Sequence, residues 1–224
     1  MQKKPLILAL LAGIALSGAA QATLMGRDLN GSAGSFEAYY DTDLGITWLA
    51  DANVNGRMTW AAANTWAANL SFTDGVNTYD NWRLPTVTDT GTSGCNFADT
   101  GTDCGYNVDT ATGEMAHLFY DELGNKAFYD AAGAGPQTGW GLTNTGPFTN
   151  LQANYYWSAT EDAPTGNAWN FYFYDGYQRT DLKHGGFYAL AVSPGDVAAV
   201  PEAQTYALML AGLGLIGWRV RRRG

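Results

Sequence analysis

The spacing of apolar positions predicts two helices. In residues 59–70 the apolar side chains recur on one helical face, and Thr59 is a suitable N-cap residue. This face consists of Trp60, Ala63, Trp66, Ala67 and Leu70. The second helix is predicted over residues 114–123, with Thr112 as its cap and Gly124 at its end. Its apolar face consists of Met115, Leu118, Phe119 and Leu123.

Alternating and apolar runs predict strands in both halves of the chain. Residues 38–41 and 46–49 flank Asp43-Leu44-Gly45, a pattern typical of a β-hairpin with glycine at the turn. Asp175-Gly176 is predicted to be a turn among later strands, which cover residues 155–159, 168–174 and 187–192. Few strands, two helices and long connections indicate an α+β fold with an antiparallel sheet.

The N-terminal residues have the pattern of a secretory signal peptide. Lys3 and Lys4 precede an apolar run over residues 6–16, and Ala20-Gln21-Ala22 provides the small residues that signal peptidase requires. We therefore predict that residues 1–22 are removed after Ala22 and that the chain is exported.

The C-terminal residues 200–224 have a second targeting pattern. Pro201-Glu202 precedes an uncharged apolar run over residues 206–218, which spans roughly 20 Å as a helix against the ~30 Å of a bilayer core. Four arginines follow and would hold this end on the cytoplasmic side: Arg219, Arg221, Arg222 and Arg223.

This order resembles the PEP-CTERM sorting signal, except that Ala203 stands where the motif usually has proline. The resemblance implies brief retention in the inner membrane and cleavage by an exosortase-type protease. A permanent membrane anchor is the alternative.

The domain between the two signals, residues 23–199, is strongly acidic. Residues 23–200 contain six Lys/Arg and twenty Asp/Glu, which gives a net charge of −14. Such a domain repels nucleic acid and anionic membranes. The two cysteines, Cys95 and Cys104, lie in a polar insertion over residues 89–109. In an exported chain they predict a disulfide, and a metal site made from the two thiols is the weaker alternative.

Several sequence stretches resemble the Lcl C-terminal-like domain family. They are DTDLGITWLADANV (41–54), MTWAAANTWAANL (58–70), YDNWRLPT (79–86), YYWSATE (155–161), AWNFYFYDG (168–176) and YALAVSPGDV (188–197). That family is similar to the C-type-lectin-like and formylglycine-generating (sulfatase-modifying) fold group. The resemblance implies a C-type-lectin-like domain with two helices, a twisted antiparallel sheet and long loops. The insertion at residues 89–109 departs from the short family pattern.

The most specific of these motifs are explained by packing. Pro85 favours extended geometry at Leu84, so Trp82 and Leu84 are predicted to point into the core while Arg83 points away, toward carbonyls or a carboxylate. Trp157-Ser158 is interpreted as a buried indole beside a hydroxyl that bonds to the backbone.

No residue pattern indicates an active site. His117 is predicted to pack beside a helix face, His184 to lie in a loop, and Glu161-Asp162 to lie in a solvated loop. Nucleophilic catalysis needs a nucleophile, a base and an orienting group, and no such set is evident. We therefore expect a non-enzymatic protein without a cofactor. The alternative is a periplasmic or secreted enzyme of the formylglycine-generating fold group.

Alternating aromatic residues after residue 170 predict a ligand-binding surface. Exposed aromatic rings stack on sugar faces, and polar side chains can bond to hydroxyl groups. The predicted surface consists of Tyr172, Tyr174, Asp175, Tyr177 and Gln178. A weaker calcium site is predicted from the carboxylates of Asp89, Asp99, Asp103 and Asp109. We expect the protein to act at the cell surface or in the extracellular matrix, by adhesion or by association with exopolysaccharide in a biofilm.

Overall fold

The computed structural model describes residues 24–32, 34–91, 95, 103–162 and 166–197, and these residues form an α+β fold. Their helices and antiparallel strands are β1 Leu24–Arg27, β2 Ala38–Asp41, β3 Ile46–Leu49, α1 Trp60–Ala68, β4 Phe72–Thr73, β5 Thr78–Tyr79, α2 Glu114–His117, a π-helical turn Leu118–Glu122, β6 Tyr155–Asp162, β7 Asn167–Tyr172, β8 Tyr177–Leu182 and β9 Val192–Pro194. Three sheets result, with the strand orders β1-β2-β3-β9, β4-β5 and β6-β7-β8. The architecture is open rather than a closed barrel, because no described sheet joins its first strand to its last.

The first sheet is built around the predicted hairpin. β2 and β3 pair from Ala38 opposite Leu49 to Asp41 opposite Ile46. Gly45 has φ of 65°, which an L-residue rarely adopts, and Asp41 Oδ1 accepts the backbone N–H groups of the turn. The hairpin prediction is therefore confirmed.

The third sheet has β7 as its central strand, and the β6–β7 pairing shifts register between Trp157 and Glu161. β7 lies between β6 and β8, and Tyr172 is opposite both Tyr155 and Tyr177. The predicted turn at Asp175-Gly176 joins β7 to β8, and Gly176 has φ of 80°.

Both predicted helices are present, but the second differs in detail. Thr59 caps α1 by accepting from Ala62 N, and Ala63 and Ala67 are fully buried. The predicted cap of the second helix is wrong, because its N-cap is Gly113 and the hydroxyl of Thr112 donates to Asp109 O instead. The chain then continues into the π-helical turn, which the apolar spacing did not indicate.

The sheets and helices share one core, and the predicted core motifs occupy it. Trp82, Leu84 and Trp157 are buried. Arg83 points away from the core and forms a two-pronged ion pair with Glu114, with both N–O distances at 2.7 Å. The orientation predicted for these residues is confirmed, and Glu114 also accepts from Thr86 N.

Two strand predictions need correction. Residues 187–192 were predicted as one strand, but β9 begins only at Val192, and Phe187 and Tyr188 form single bridges to Met58 and Tyr156. The predicted loop at Glu161-Asp162 is the end of β6, where Glu161 pairs with Lys183 at 3.1 Å. Strands β1, β4, β5 and β8 were not predicted.

Cys95 and Cys104 are joined in a disulfide, as predicted. Cys104 packs in a small cluster with Val87 and Trp169, so the bond ties the insertion to the third sheet, whose central strand contains Trp169. Residues 92–94 and 96–102 of the insertion lie outside the described residues.

Replacing both cysteines with serine is expected to lower the free energy of unfolding by about 2–3 kcal/mol, because the crosslink restricts the unfolded chain. Urea denaturation of the oxidised protein and the double variant checks this value. Intact mass with and without alkylation should find no free thiol in the exported protein. Two alkylated cysteines would contradict the pairing.

Within the described ranges, no helix is both long enough and apolar enough to cross a membrane. The predicted signal peptide and the C-terminal sorting segment lie outside those ranges.

Candidate functional site

Aromatic side chains emerge from one face of the third sheet. Successive residues of a strand point to opposite faces, so Phe171 and Phe173 enter the core while Tyr172 points away from it. Tyr155, opposite Tyr172 in β6, points the same way. The two rings stack in parallel, with their centroids 3.8 Å apart and an angle of 8° between their planes.

Further rings extend this row across the end of the sheet, in tilted or edge-to-face contacts. Tyr174, which is 47% exposed, lies 5.5 Å from Tyr172 between ring centroids. Trp140 lies 5.3 Å beyond it, and Phe128 lies 4.8 Å beyond Trp140. We call these five partly exposed residues the aromatic surface: Phe128, Trp140, Tyr155, Tyr172 and Tyr174.

A loop outside the sheet supplies two members of the aromatic surface. Phe128 N donates to Asp175 O, which fastens the loop to the β7–β8 turn. The side-chain amide of Gln137 spans the loop by donating to Ala127 O and Tyr129 O. Trp140 N donates to Gln137 O and Gly141 N donates to Lys126 O, so the backbone is fixed on both sides of Trp140 and the rings are held in place before any ligand arrives.

Two charged groups border the aromatic surface. The guanidinium of Arg179 lies over the Tyr155 ring, 4.8 Å from its centroid, and pairs with Asp181 at 2.7 Å. Asp175 accepts from the Tyr106 hydroxyl at 3.1 Å. Burial raises the pKa of Asp175, although the bond from Tyr106 opposes that shift. Burial and the nearby Asp175 carboxylate raise the pKa of Tyr106, so this phenol stays protonated and donates.

The structure brings together three of the five residues predicted for ligand binding: Tyr172, Tyr174 and Asp175. Tyr177 was predicted to lie on the surface, but it is only 6% exposed. The ring of Tyr106 covers it, with the two ring centroids 4.8 Å apart. Gln178 is fully buried, since it lies opposite Phe171 on the core side and donates to Asp103 O.

Sequence reasoning missed Phe128, Trp140 and Tyr155 as surface residues. Tyr155 could have been found by extending the β6–β7 register to the residue opposite Tyr172. Phe128 and Trp140 lie in an irregular loop, where no periodic pattern reveals which way a side chain points.

The three described residues of the predicted calcium cluster are engaged in hydrogen bonds. Asp103 is buried and accepts from the backbone and the hydroxyl of Thr90. Asp89 accepts from the Trp169 indole at 3.2 Å, and Asp109 accepts from Ala111 N. The fourth residue, Asp99, lies outside the described residues.

A second concavity of about 400 Å³ lies between the first sheet and the end of α1. Phe36 and Val54, which are about half exposed, form part of its apolar wall. Among its lining residues, the ionisable ones are Glu37, Tyr39 and Asp51. It supplies a matched surface for the experiments below, because it is apolar but its rings Phe36 and Tyr39 meet edge to face, with no parallel pair like Tyr155 and Tyr172.

Together, the fold and the aromatic surface define an α+β domain that presents a row of fixed rings to solvent. The model of the Lcl C-terminal domain matches residues 37–193, which is more than half of the chain, and the chain belongs to that family. Residues 199–223 match the PEP-CTERM protein-sorting motif, the signal that exosortase recognises. The protein is therefore exported and sorted to the cell surface or beyond it. No curated protein and no solved structure matches the chain.

Proposed function

We propose that this protein is a non-catalytic adhesion component of the cell surface or extracellular matrix, and that its aromatic surface binds polysaccharide. Five contiguous, partly exposed rings carry the proposal, since they offer apolar area against which sugar rings can pack. Asp175 and Arg179 border the rings and supply hydrogen-bonding groups for sugar hydroxyls.

The net charge limits the kind of polysaccharide. Residues 23–200 carry a net charge of −14, which opposes the approach of a polyanion. We therefore propose a neutral polysaccharide as the ligand, retained mainly by stacking and by hydroxyl contacts. A glycan array probed with the exported protein, followed by binding to the producer's own exopolysaccharide, tests the choice.

Replacing Trp140, Tyr172 and Tyr174 together with alanine is expected to weaken binding about 100-fold, because each lost ring contributes on the order of 1 kcal/mol. Tyr177 is left unchanged, because its burial makes it a folding residue. Binding is measured by affinity electrophoresis or calorimetry, and circular dichroism checks that the variant folds.

The matched control is Phe36→Ala, which removes an exposed ring from the second concavity instead. It should bind polysaccharide as the wild type does. Equal binding by the triple variant and the wild type would refute the aromatic surface as the site. A loss confined to Phe36→Ala would move the site to the second concavity.

A further inference from the structure

Three acidic or imidazole side chains converge away from the aromatic surface. Asp41 lies at the end of β2, His117 at the end of α2, and Glu122 at the end of the π-helical turn. One ligand atom from each lies within 4.8 Å of the others. His117 Nε2 is 3.4 Å from Glu122 Oε1 and 3.8 Å from Asp41 Oδ2.

The π-helical turn creates this convergence. Residues five apart on an α-helix differ in direction by about 140°, so His117 and Glu122 would lie on different faces. The wider turn, closed by Leu123 N donating to Leu118 O, turns Glu122 back toward His117. Such π-helical turns are costly and occur frequently at functional sites.

The hydrogen bonds around the cluster fix each side chain while leaving the centre unpaired. Asp41 Oδ1 accepts two backbone N–H groups, and its Oδ2 accepts the indole of Trp48 at 3.2 Å. His117 Nδ1 lies 3.1 Å from Asp121 Oδ2. His117 Nε2 and Glu122 Oε1 are buried and have no hydrogen-bond partner.

This arrangement orients an electron pair of the imidazole toward two carboxylates. When Nδ1–H donates to Asp121, the neutral ring presents the lone pair of Nε2 to Asp41 and Glu122. The side chains of Asp41 and Glu122 are 0% and 1% exposed. Water therefore screens poorly the repulsion between the two carboxylates and between each carboxylate and the Nε2 lone pair.

We propose that Asp41 Oδ2, His117 Nε2 and Glu122 Oε1 bind a divalent cation of the zinc type. Tetrahedral zinc holds its ligands about 3.3 Å apart. His117 Nε2 is already close to that separation from Glu122 Oε1 and Asp41 Oδ2, at 3.4 and 3.8 Å. Asp121 then plays the carboxylate-to-histidine role that orients a metal-binding imidazole. Calcium and magnesium prefer ligand sets made only of oxygen atoms. Because one of the three ligands here is an imidazole nitrogen, the site is less suited to either of these ions.

The cation would join the β2–β3 hairpin to the segment after α2. These two parts of the chain are distant in sequence, and the ion would replace mutual repulsion by attraction between them. A ligand that binds only the folded state raises the free energy of unfolding, and the increase grows with the logarithm of the free ligand concentration. The proposed role of the site is therefore structural, and it is independent of polysaccharide binding.

The test is zinc uptake by the exported protein. The protein is stripped with a chelator, dialysed, and titrated with Zn²⁺, Ca²⁺ or Mg²⁺ alone. We expect one Zn²⁺ per chain by elemental analysis, a higher thermal midpoint with Zn²⁺, and no comparable response to the other two ions. Glu122→Gln keeps the side-chain shape and should weaken zinc binding by more than ~100-fold, while Asp121→Asn should weaken it by ~10–100-fold.

His184→Gln is the matched control, because His184 is the other histidine of the chain and is exposed in a loop. It should bind zinc as the wild type does. The proposal is overturned if stripped wild-type protein takes up no stoichiometric zinc, a result that needs no variant to fold. It is also overturned if folded Glu122→Gln retains wild-type zinc affinity, or if His184→Gln removes the binding.

Discussion

Replacing Trp157 with alanine is expected to lower the free energy of unfolding by about 3–5 kcal/mol, because it empties a large, fully enclosed volume. The indole packs against Phe187, with ring centroids 4.4 Å apart, and its Nε1 donates to Met58 O at 2.9 Å. The substitution also removes one of the two hydrogen bonds that Met58 O accepts, the other coming from Phe187 N, and this loss adds to the cost of the cavity.

Trp140→Ala is the matched control, since it removes the same side chain from a partly exposed position. Its destabilisation should be less than half as large. Urea denaturation followed by far-ultraviolet circular dichroism gives both values without relying on indole fluorescence. Equal losses for the two variants would contradict the burial argument and imply that the loop carrying Trp140 contributes to the core.

The parts of the fold that were predicted correctly have strong local signals. The helix at residues 60–68 follows from apolar spacing and a threonine cap, and the hairpin follows from two short apolar strands around a glycine turn. Trp82 and Leu84 follow from strand alternation next to a proline. In each case the information lies within a few neighbouring residues.

The incorrect predictions concern features that depend on segments distant in the sequence, which pair with a strand or cover a side chain. β8 contains Tyr177, Gln178, Arg179 and Asp181, a mixed run whose strand character comes from its pairing with β7. Tyr177 points to the predicted side of that sheet but is covered by Tyr106, which lies about seventy residues away in the chain. Sequence alternation gives the direction of a side chain but cannot show what covers it.

The same reasoning applies to the proposed metal cluster. His117 was correctly placed beside an apolar helix face, and it is indeed buried. Its partners were invisible because Asp41 comes from a distant hairpin and Glu122 reaches it only through the π-helical turn. An ideal helix would separate His117 from Glu122, so the regular period used to find the helix concealed their proximity.

The exported protein recovered from the cell surface or medium is expected to end near Pro201-Glu202. The PEP-CTERM motif covers residues 199–223, and its apolar run at residues 206–218 is short for a permanent span. The arginines behind that run would stop translocation and leave Pro201-Glu202 accessible on the outer side of the inner membrane. Cleavage there would free the acidic domain for the role proposed above.

Mass spectrometry of the C-terminal peptide measures this processing, and the double variant Pro201→Ala/Glu202→Ala should block it. That variant should keep the tail through Trp218 and collect in the membrane fraction. Gln204→Ala is the matched control, since it alters the tail next to the motif but outside it, and it should be processed normally. Wild-type protein at the cell surface or in the medium that still contains residues 213–218 would contradict the sorting prediction and favour a permanent anchor, because a cleaved chain cannot retain that segment.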